Sequence, residues 1–397
     1  MTPLAGLFAL AALLTAPAAL AQTDTAPASE TETAAQLGPE AQAEVERSRQ
    51  AAGQFAQFMK SSRDVAKAAK FSGEFGMGFQ ARRGEAPATA AVAVAAQGAD
   101  GTPRKANALW RWASVTKQVI AVLVMQEVQA GRIDLDQPVA RYLPDFAAPN
   151  AARISVRQLL RHQSGLPNPD DSPQDREGVP VFYHGGKLAD PPLAYCSGAP
   201  KGEPGGKWVY NNCDYIVAGA LLEAVTGTPW RDLVTERIAR PNKLGSIASF
   251  PSDVATTKGL VGGKAEPHYD FARFEASAAL YGAMSDLLKF DLALASGKLL
   301  DGRRLGQLWD GQADQGFIAL GQWVFEAPLK GCTAPVRVVE RRGAIGGVQV
   351  RNLIVPDQQL AVALFSDQDS FDYGEIWQGK GFAYDMLSLA ACPQVMP

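Results

Sequence analysis

The chain has 397 residues, of which 47% are hydrophobic and 20% charged, enough apolar material for a large core or for two lobes. A formal net charge of −3, with no long basic cluster, argues against nucleic acid as the main partner.

Residues 4 to 20 form an apolar run rich in Leu and Ala, and Ala19-Leu20-Ala21 ahead of Gln22 fits the small-x-small rule for signal-peptide cleavage. The n-region lacks Lys and Arg, a departure from the usual pattern. A membrane anchor is the alternative, but about 17 apolar residues interrupted by Pro17 are short for a span. The expectation is a signal peptide over 1–21 and an exported protein, periplasmic or secreted, with no stable membrane insertion after cleavage. Residues 22–66 are rich in Ala, Glu, Gln, Thr and Ser and read as a leader that becomes helical near Gln50 to Lys60. The remaining 67–397 would be the folded domain.

Phe71 to Ala81 and Thr89 to Gln97 look like strands around an Arg82-Arg83-Gly84 turn. Ser114-Val115-Thr116-Lys117 follows, placing a hydroxyl and an amine three residues apart at the start of an apolar run that Gly131 is placed to end. On a helix both side chains share a face, so the amine can take the hydroxyl's proton. Most S-x-x-K tetrapeptides are ordinary helix surface, and this one gains weight only from its context.

Helices are expected at 116–130, 155–162, 212–226, 229–239 and 284–295, separated by loops rich in Pro and Gly, above all across 163–209. Strands return at Phe317 to Phe325, Val336 to Glu340, Val348 to Val355 and Leu360 to Ser366, and Tyr373 to Ala391 fits a closing helix. Strands at both ends with helices between them imply an α+β fold. One antiparallel sheet is built from both chain ends and covered by helices, and a mainly helical lobe is inserted.

Two later segments bear on Ser114 and Lys117. Tyr210-Asn211-Asn212 leads into an apolar helical run, so a phenol and a carboxamide can be aimed into one cleft. The plainer reading is a half-buried aromatic and a helix N-cap. Arg341-Arg342-Gly343-Ala344-Ile345-Gly346-Gly347 lies between strand-like runs, where small residues admit a substrate to a strand edge and a cation can hold its carboxylate. The plainer reading here is a hairpin turn.

Cys196, Cys213, Cys332 and Cys392 allow three pairings, and nearness in sequence favours Cys196 with Cys213 and Cys332 with Cys392. Four free buried thiols remain the alternative. Gly76-Met77-Gly78-Phe79-Gln80-Ala81 matches a dinucleotide fingerprint but precedes a turn and a strand rather than a helix. His162, His184 and His268 lie far apart, with no H-E-x-x-H or C-x-x-C, so no metal site is expected. His162 reads as a structural residue supporting the Gln163-Ser164-Gly165 turn. A G-x-S-x-G elbow is absent from the sequence.

With Trp112 to Lys117, Gly131 to Val139, Leu159 to Pro167, Tyr210 to Asn212 and Ser285 to Leu287 in order, the chain resembles the serine β-lactamase-like family over roughly residues 71 to 390. That family holds class C β-lactamases, D-alanyl-D-alanine carboxypeptidases, D-aminopeptidases and related esterases. The resemblance implies the β-lactamase/transpeptidase-like fold, Ser114 as acylated nucleophile, Lys117 as the group accepting its proton, and Tyr210 as second acid/base. For that role the Tyr210 pKa would have to be lowered, by Lys117 and Arg341. It further implies Asn212 as the residue positioning the substrate amide, backbone N–H donors of Ser114 and Ala344 as oxyanion hole, and Arg341, Gly343 and Ala344 along the substrate. No cofactor is implied, and the partner is a small-molecule or peptide substrate.

The third motif departs from the family: Arg341-Arg342-Gly343 stands where Lys-Thr-Gly or His-x-Gly is usual. Arg341 keeps a charge for a substrate carboxylate but cannot shuttle protons, and Glu340 could pair with either arginine. The substrate could be a D-amino-acid peptide, a β-lactam or a carboxylic ester, with the 163–209 segment bordering the cleft. The rival expectation is a barely catalytic or inactive protein on the same fold that binds peptidoglycan fragments or a partner.

Overall fold

The computed structural model describes residues 38–83, 86–185 and 190–392, so the expected signal peptide lies outside the described residues. Two units divide the chain, Met1–Gly53 and Gln54–Pro397. Of the first, the described part is helical and belongs to α1 (Pro39–Ala68), which begins eleven residues before the Gln50 read from the sequence. Everything that follows concerns the second unit, into whose core Phe58 and Ala66 are packed.

Seven strands form one antiparallel sheet in the order β3-β2-β1-β12-β11-β10-β9. They are β1 (Gly73–Arg83), β2 (Ala86–Gln97), β3 (Pro103–Arg104), β9 (Trp323–Ala327), β10 (Val336–Ile345), β11 (Val348–Val355) and β12 (Leu360–Ser366). The β1–β12 pairing, Gly73 opposite Ser366 through Phe79 opposite Leu360, joins the two chain ends. The turn expected at Arg82-Arg83-Gly84 falls partly outside the described residues, and Arg82 and Arg83 belong to β1. One face of the sheet buries Phe75, Met77, Leu353, Val362 and Leu364 with α6 (Phe382–Ala391). The other carries a larger core under the helical lobe.

The lobe is built around α2 (Thr116–Gln129), whose apolar residues from Val119 to Val128 are buried on all sides, and Gly131 at φ +74° lets the chain turn away. The short α3 (Val156–Leu160) starts at a capping box between Ser155 and Gln158. At α4 (Asn212–Thr226), the Asn211 side chain caps the Cys213 N–H at 2.8 Å, and Gly227 in the left-handed region ends the helix. The helix α5 (Met284–Ala295) covers the sheet, with Leu287, Leu288 and Leu292 in the core. Disulfides join Cys196 to Cys213 and Cys332 to Cys392.

Several expectations need correction. The strand over Phe317–Phe325 is confined to its end, because Phe317 and Gly321 have φ of +66° and +84°, which no strand accommodates. The closing helix starts at Phe382 rather than Tyr373, since Gly374, Gly379 and Gly381 all have positive φ. The helix over 229–239 is α-helical at Trp230–Leu233 and then widens into a π turn. The arginine-glycine segment continues β10 as far as Ile345, and the hairpin turn sits at Gly346-Gly347. A second sheet of very short strands, β4 (Leu109–Arg111), β5 (Ala248–Ser249) and β8 (Leu280–Ala283), was not legible in the sequence, nor was the β6 (Leu260–Val261) and β7 (Lys264–Ala265) hairpin. Among the described residues no helix is long and apolar enough to cross a membrane.

Candidate active site

Ser114 sits in a 3-10 turn, Ala113–Val115, that leads directly into α2. Its unpaired N–H groups at a helix start favour negative charge. Ala113 has φ +47°, a strained conformation for a residue with a Cβ, and it turns Ser114 out of the line of β4. Three contacts hold this turn: Trp112 N–H donates to Leu280 O at 2.9 Å, Thr116 Oγ1 to Ala113 O at 2.7 Å, and Leu280 N–H to Thr116 Oγ1 at 3.1 Å.

Lys117, one turn later on the same face, is fully buried, and its Nζ lies 3.1 Å from Ser114 Oγ, 2.7 Å from Tyr210 Oη, 2.7 Å from Asn212 Oδ1 and 2.9 Å from Ser277 O. Four oxygens surround a group with at most three hydrogens. Only the two hydroxyls have a proton to give back, so the packing favours a neutral amine that accepts from one of them. Burial, reinforced by the Arg341 charge, holds the Lys117 pKa well below its ordinary value against the opposing pull of Asp170 and Asp214.

Tyr210 Oη stands 2.5 Å from Ser114 Oγ, and burial raises its pKa despite the opposing effects of Arg341 and the Ser114 hydrogen bond. This reverses the direction expected from sequence, because desolvation of a phenolate outweighs the nearby cations. Burial thus disfavours the charged form of both the amine and the phenol, and the two, in direct contact, titrate as a coupled pair.

The first two strands of support come from the 163–209 loop. Asn168 accepts the Asn212 N–H at 3.1 Å and donates to Tyr210 O at 3.3 Å. Asn212 itself is 5% exposed and fully engaged: Oδ1 accepts from Lys117, while Nδ2 donates to Asp170 (3.1 and 3.2 Å) and to Tyr183 Oη (2.9 Å). Behind Tyr210 lies a buried pair, His162 Nδ1 3.0 Å from Asp214 Oδ2, with Ser164 donating to the other Asp214 oxygen. Burial pushes the His162 pKa well down and the Asp214 carboxyl well up, the latter against the hydrogen bond from Ser164. His162 packs its ring 4.8 Å from that of Tyr210. Its place is thus behind Tyr210 as well as beside the Gln163–Gly165 turn.

Arg341 is fully buried, its Nε donating to Ser114 O at 2.8 Å and its Nη2 reaching Tyr210 Oη at 3.4 Å. Its side chain lies between the rings of Tyr210 and Trp323. The exposed carboxylate clamp expected from sequence is not what the fold provides, because strand alternation points Arg341 inward at the Ser114 turn. Arg342 points the other way and pairs with Glu340 at 2.7 Å and Glu375 at 2.5 Å, so Glu340 serves Arg342 and not Arg341. A Cβ on Gly343 would come within 2.8 Å of Trp112 O and 3.0 Å of Ser114 N, which only glycine avoids. Pairing of β10 with β9 stops at Glu340 opposite Trp323, so Arg341 to Ile345 form an unpaired edge, with Ala344 exposed on it.

Ser114, Lys117, Tyr210, Asn212 and Arg341 thus come together, with Gly343 against the Ser114 turn. Asp170, Tyr183, Asn168 and Asp214 were missed by sequence reasoning. Asp170 lies three residues past Gly165-Leu166-Pro167, and Asp214 two past Asn212, but no spacing rule marks either.

The fold and this cluster define a class of proteins in which a helix-start serine is set beside a buried lysine on a sheet edge. A family model described as Beta-lactamase matches residues 18–379, and the chain belongs to that family. It is 32% identical over 158 residues to esterase EstB of Burkholderia gladioli, covering 36% of this chain and 38% of the relative. It is 28% identical over 221 residues to penicillin-binding protein 4 of Amycolatopsis lactamdurans, covering 50% and 54%. The chain thus spans about half or less of these two relatives' length. A D-stereospecific amidohydrolase from Streptomyces sp. has the same fold, with a TM-score of 0.65 at 23% identity over 85% of this chain and 99% of that one.

Proposed function

We propose that the chain is an exported serine hydrolase that forms an acyl-enzyme on Ser114 and releases it to water. The observation that carries this reading is the short Ser114–Lys117–Tyr210 triangle around a buried amine whose pKa burial lowers. Membership in the Beta-lactamase family and similarity to an esterase and a penicillin-binding protein support it.

In the proposed sequence, Ser114 Oγ attacks the carbonyl carbon while its proton passes to Lys117 Nζ. The oxyanion lies against the N–H groups of Ser114 and Ala344, an arrangement that typically contributes several kcal/mol. Tyr210 donates its phenolic proton to the leaving amine or alkoxide and regains one from Lys117 over 2.7 Å. Water then enters, gives its proton back through the same pair, and its oxygen displaces Ser114 from the acyl carbon. Asn212 holds the lysine, and Arg341 holds the Ser114 turn. Because Tyr210 stays protonated, it acts first as an acid, and Lys117 acts first as the base.

Export is supported by the apolar run over 4–20, by the cleavage-like Ala19-Leu20-Ala21 and by the two disulfides. The substrate would be an amide, peptide or ester. Intact-mass spectrometry after incubation with a fluorophosphonate and with a penicillin tests the reading, Ser114→Ala serving as control. An adduct on wild type alone supports it. Absence of any adduct replaces it with the binding-protein alternative.

A further inference from the structure

The two N–H donors proposed for the oxyanion hole come from distant parts of the chain, so their spacing depends on tertiary contacts. Ser114 lies in the 3-10 turn after β4, and Ala344 lies in β10. Register aims the second donor. Ile345 opposite Val348 closes the two-residue Gly346-Gly347 turn, so Ile345 exchanges hydrogen bonds with β11, and Ala344 turns its N–H to the other side. That side is the edge left free once pairing with β9 stops at Glu340.

Two cross-links bracket Ala344. Three residues before it, Arg341 donates to Ser114 O at 2.8 Å. Three residues after it, Gly347 N–H donates to Glu266 Oε2 at 3.1 Å. The same carboxylate takes both arms of Arg111, Nη1 to Oε1 at 2.7 Å and Nη2 to Oε2 at 2.6 Å. Arg111 ends β4, three positions before Ser114. The pair is buried, with 2% of the Arg111 and 10% of the Glu266 side chain exposed. A guanidinium fork on a carboxylate fixes direction as well as distance. The segment leading to Glu266 is pressed between the same two elements. A Cβ on Gly347 would lie 2.2 Å from Leu260 N, and Thr257 N–H donates to Leu109 O of β4 at 2.7 Å.

We propose that Glu266 is a positioning residue for the oxyanion hole. One carboxylate ties the strand that delivers Ser114 to the turn that follows Ala344, and so sets the spacing of the two donors. Both its oxygens are engaged by Arg111 and Gly347, so it acts through the backbone. The assignment rests on the hydrolase reading and adds a residue to it. Without Glu266, β10 stays tied at Arg341 but is released at its turn, which lets the Ala344 N–H move off the oxyanion. A displacement of about 1 Å in such a site costs on the order of a hundredfold in rate.

The test compares wild type, Glu266→Ala and Glu266→Gln in hydrolysis of p-nitrophenyl acetate and in inhibition by phenylboronic acid, whose tetrahedral adduct on a serine places an oxygen in the hole. The hole serves both acylation and deacylation, so Glu266→Ala should lose about ten- to a hundredfold in kcat with KM within about threefold. Its inhibition constant for phenylboronic acid should rise by a similar factor. Glu266→Gln keeps an acceptor for Gly347 without the charge that holds Arg111, and should fall between. A purely structural Glu266 would lower the melting temperature and leave kcat and the inhibition constant of the folded protein at wild-type values, which overturns the inference and spares the hydrolase reading. If Glu266→Ala does not fold, Glu266→Gln decides on the same two constants. If wild type takes the fluorophosphonate adduct without turning over the ester, the rate of adduct formation stands in for kcat. No turnover and no adduct on wild type sinks the hydrolase reading itself.

Discussion

Arg341 and Ser114 are joined through the backbone: the guanidinium Nε donates to the serine's carbonyl oxygen at 2.8 Å across 227 residues of sequence. The bond fixes the turn that aims Oγ, and it consumes the cation that would otherwise face a substrate. Arg341→Lys should therefore reduce kcat by about ten- to a hundredfold with little change in KM, because a single ammonium cannot reproduce the fork and leaves the carbonyl poorly paired. Steady-state kinetics decide this, and a rise in KM alone would mean that Arg341 holds substrate instead.

Ser114→Ala should abolish turnover and adduct formation while leaving the circular-dichroism spectrum and melting temperature nearly unchanged. Retention of most activity would remove Ser114 from the mechanism.

The acidic limb of the kcat/KM profile should report loss of a proton from the Lys117–Tyr210 pair. Since burial lowers the lysine's pKa, the base is free over a range of pH where an ordinary lysine is charged, so activity rises with pH and levels off well below 10.5. A limb that keeps rising to the ordinary lysine value would contradict a neutral Lys117.

Glu74, on β1 between Ala96 and Phe365, has its pKa pushed up to about 7 by burial, against the opposing hydrogen bond from Ala108 N–H at 2.8 Å. The folded protein binds this proton more tightly than the unfolded chain does. Stability is therefore lost as pH rises from about 4.5, the ordinary value that the unfolded chain keeps, through about 7. Glu74→Gln keeps the acceptor without the charge. By denaturant titration it should match wild type near pH 4 and exceed it by roughly 3 kcal/mol above pH 7. Equal stabilities at both pH values would show that Glu74 keeps an ordinary pKa.

Cys196–Cys213 closes a 17-residue separation and ties the loop before the site to the first turn of α4. Replacing both with serine should cost roughly 3 kcal/mol by loop entropy. Melting under non-reducing conditions measures it, and no change in stability would mean that the bridge constrains nothing in the unfolded chain.

How far the sequence carried the fold depends on the range of the forces involved. The helices Thr116–Gln129, Asn212–Thr226 and Met284–Ala295 and the strands Val348–Val355 and Leu360–Ser366 follow from local periodicity and caps. The short strands β4, β5 and β8 have no periodicity of their own and exist only because distant segments pair. The same division runs through the site. S-x-x-K is local and visible, and Tyr210 and Asn212 stand out against it. The Asp170–Tyr183–Asn212 contacts and the inward turn of Arg341 are tertiary. The rise in the Tyr210 pKa was illegible because desolvation depends on burial, which a motif does not state.

The triangle at Ser114 closes only when Tyr210, 96 positions along, has docked, and its serine turn is fixed only when Arg341, far beyond, has docked too. Until then Lys117 is solvated and charged like any surface lysine, and Ser114 is an ordinary alcohol. On the proposed reading, reactivity is thus withheld from every partly folded form of the chain. On that reading, the docking of Tyr210 from the helical lobe and of Arg341 from the sheet is itself the switch.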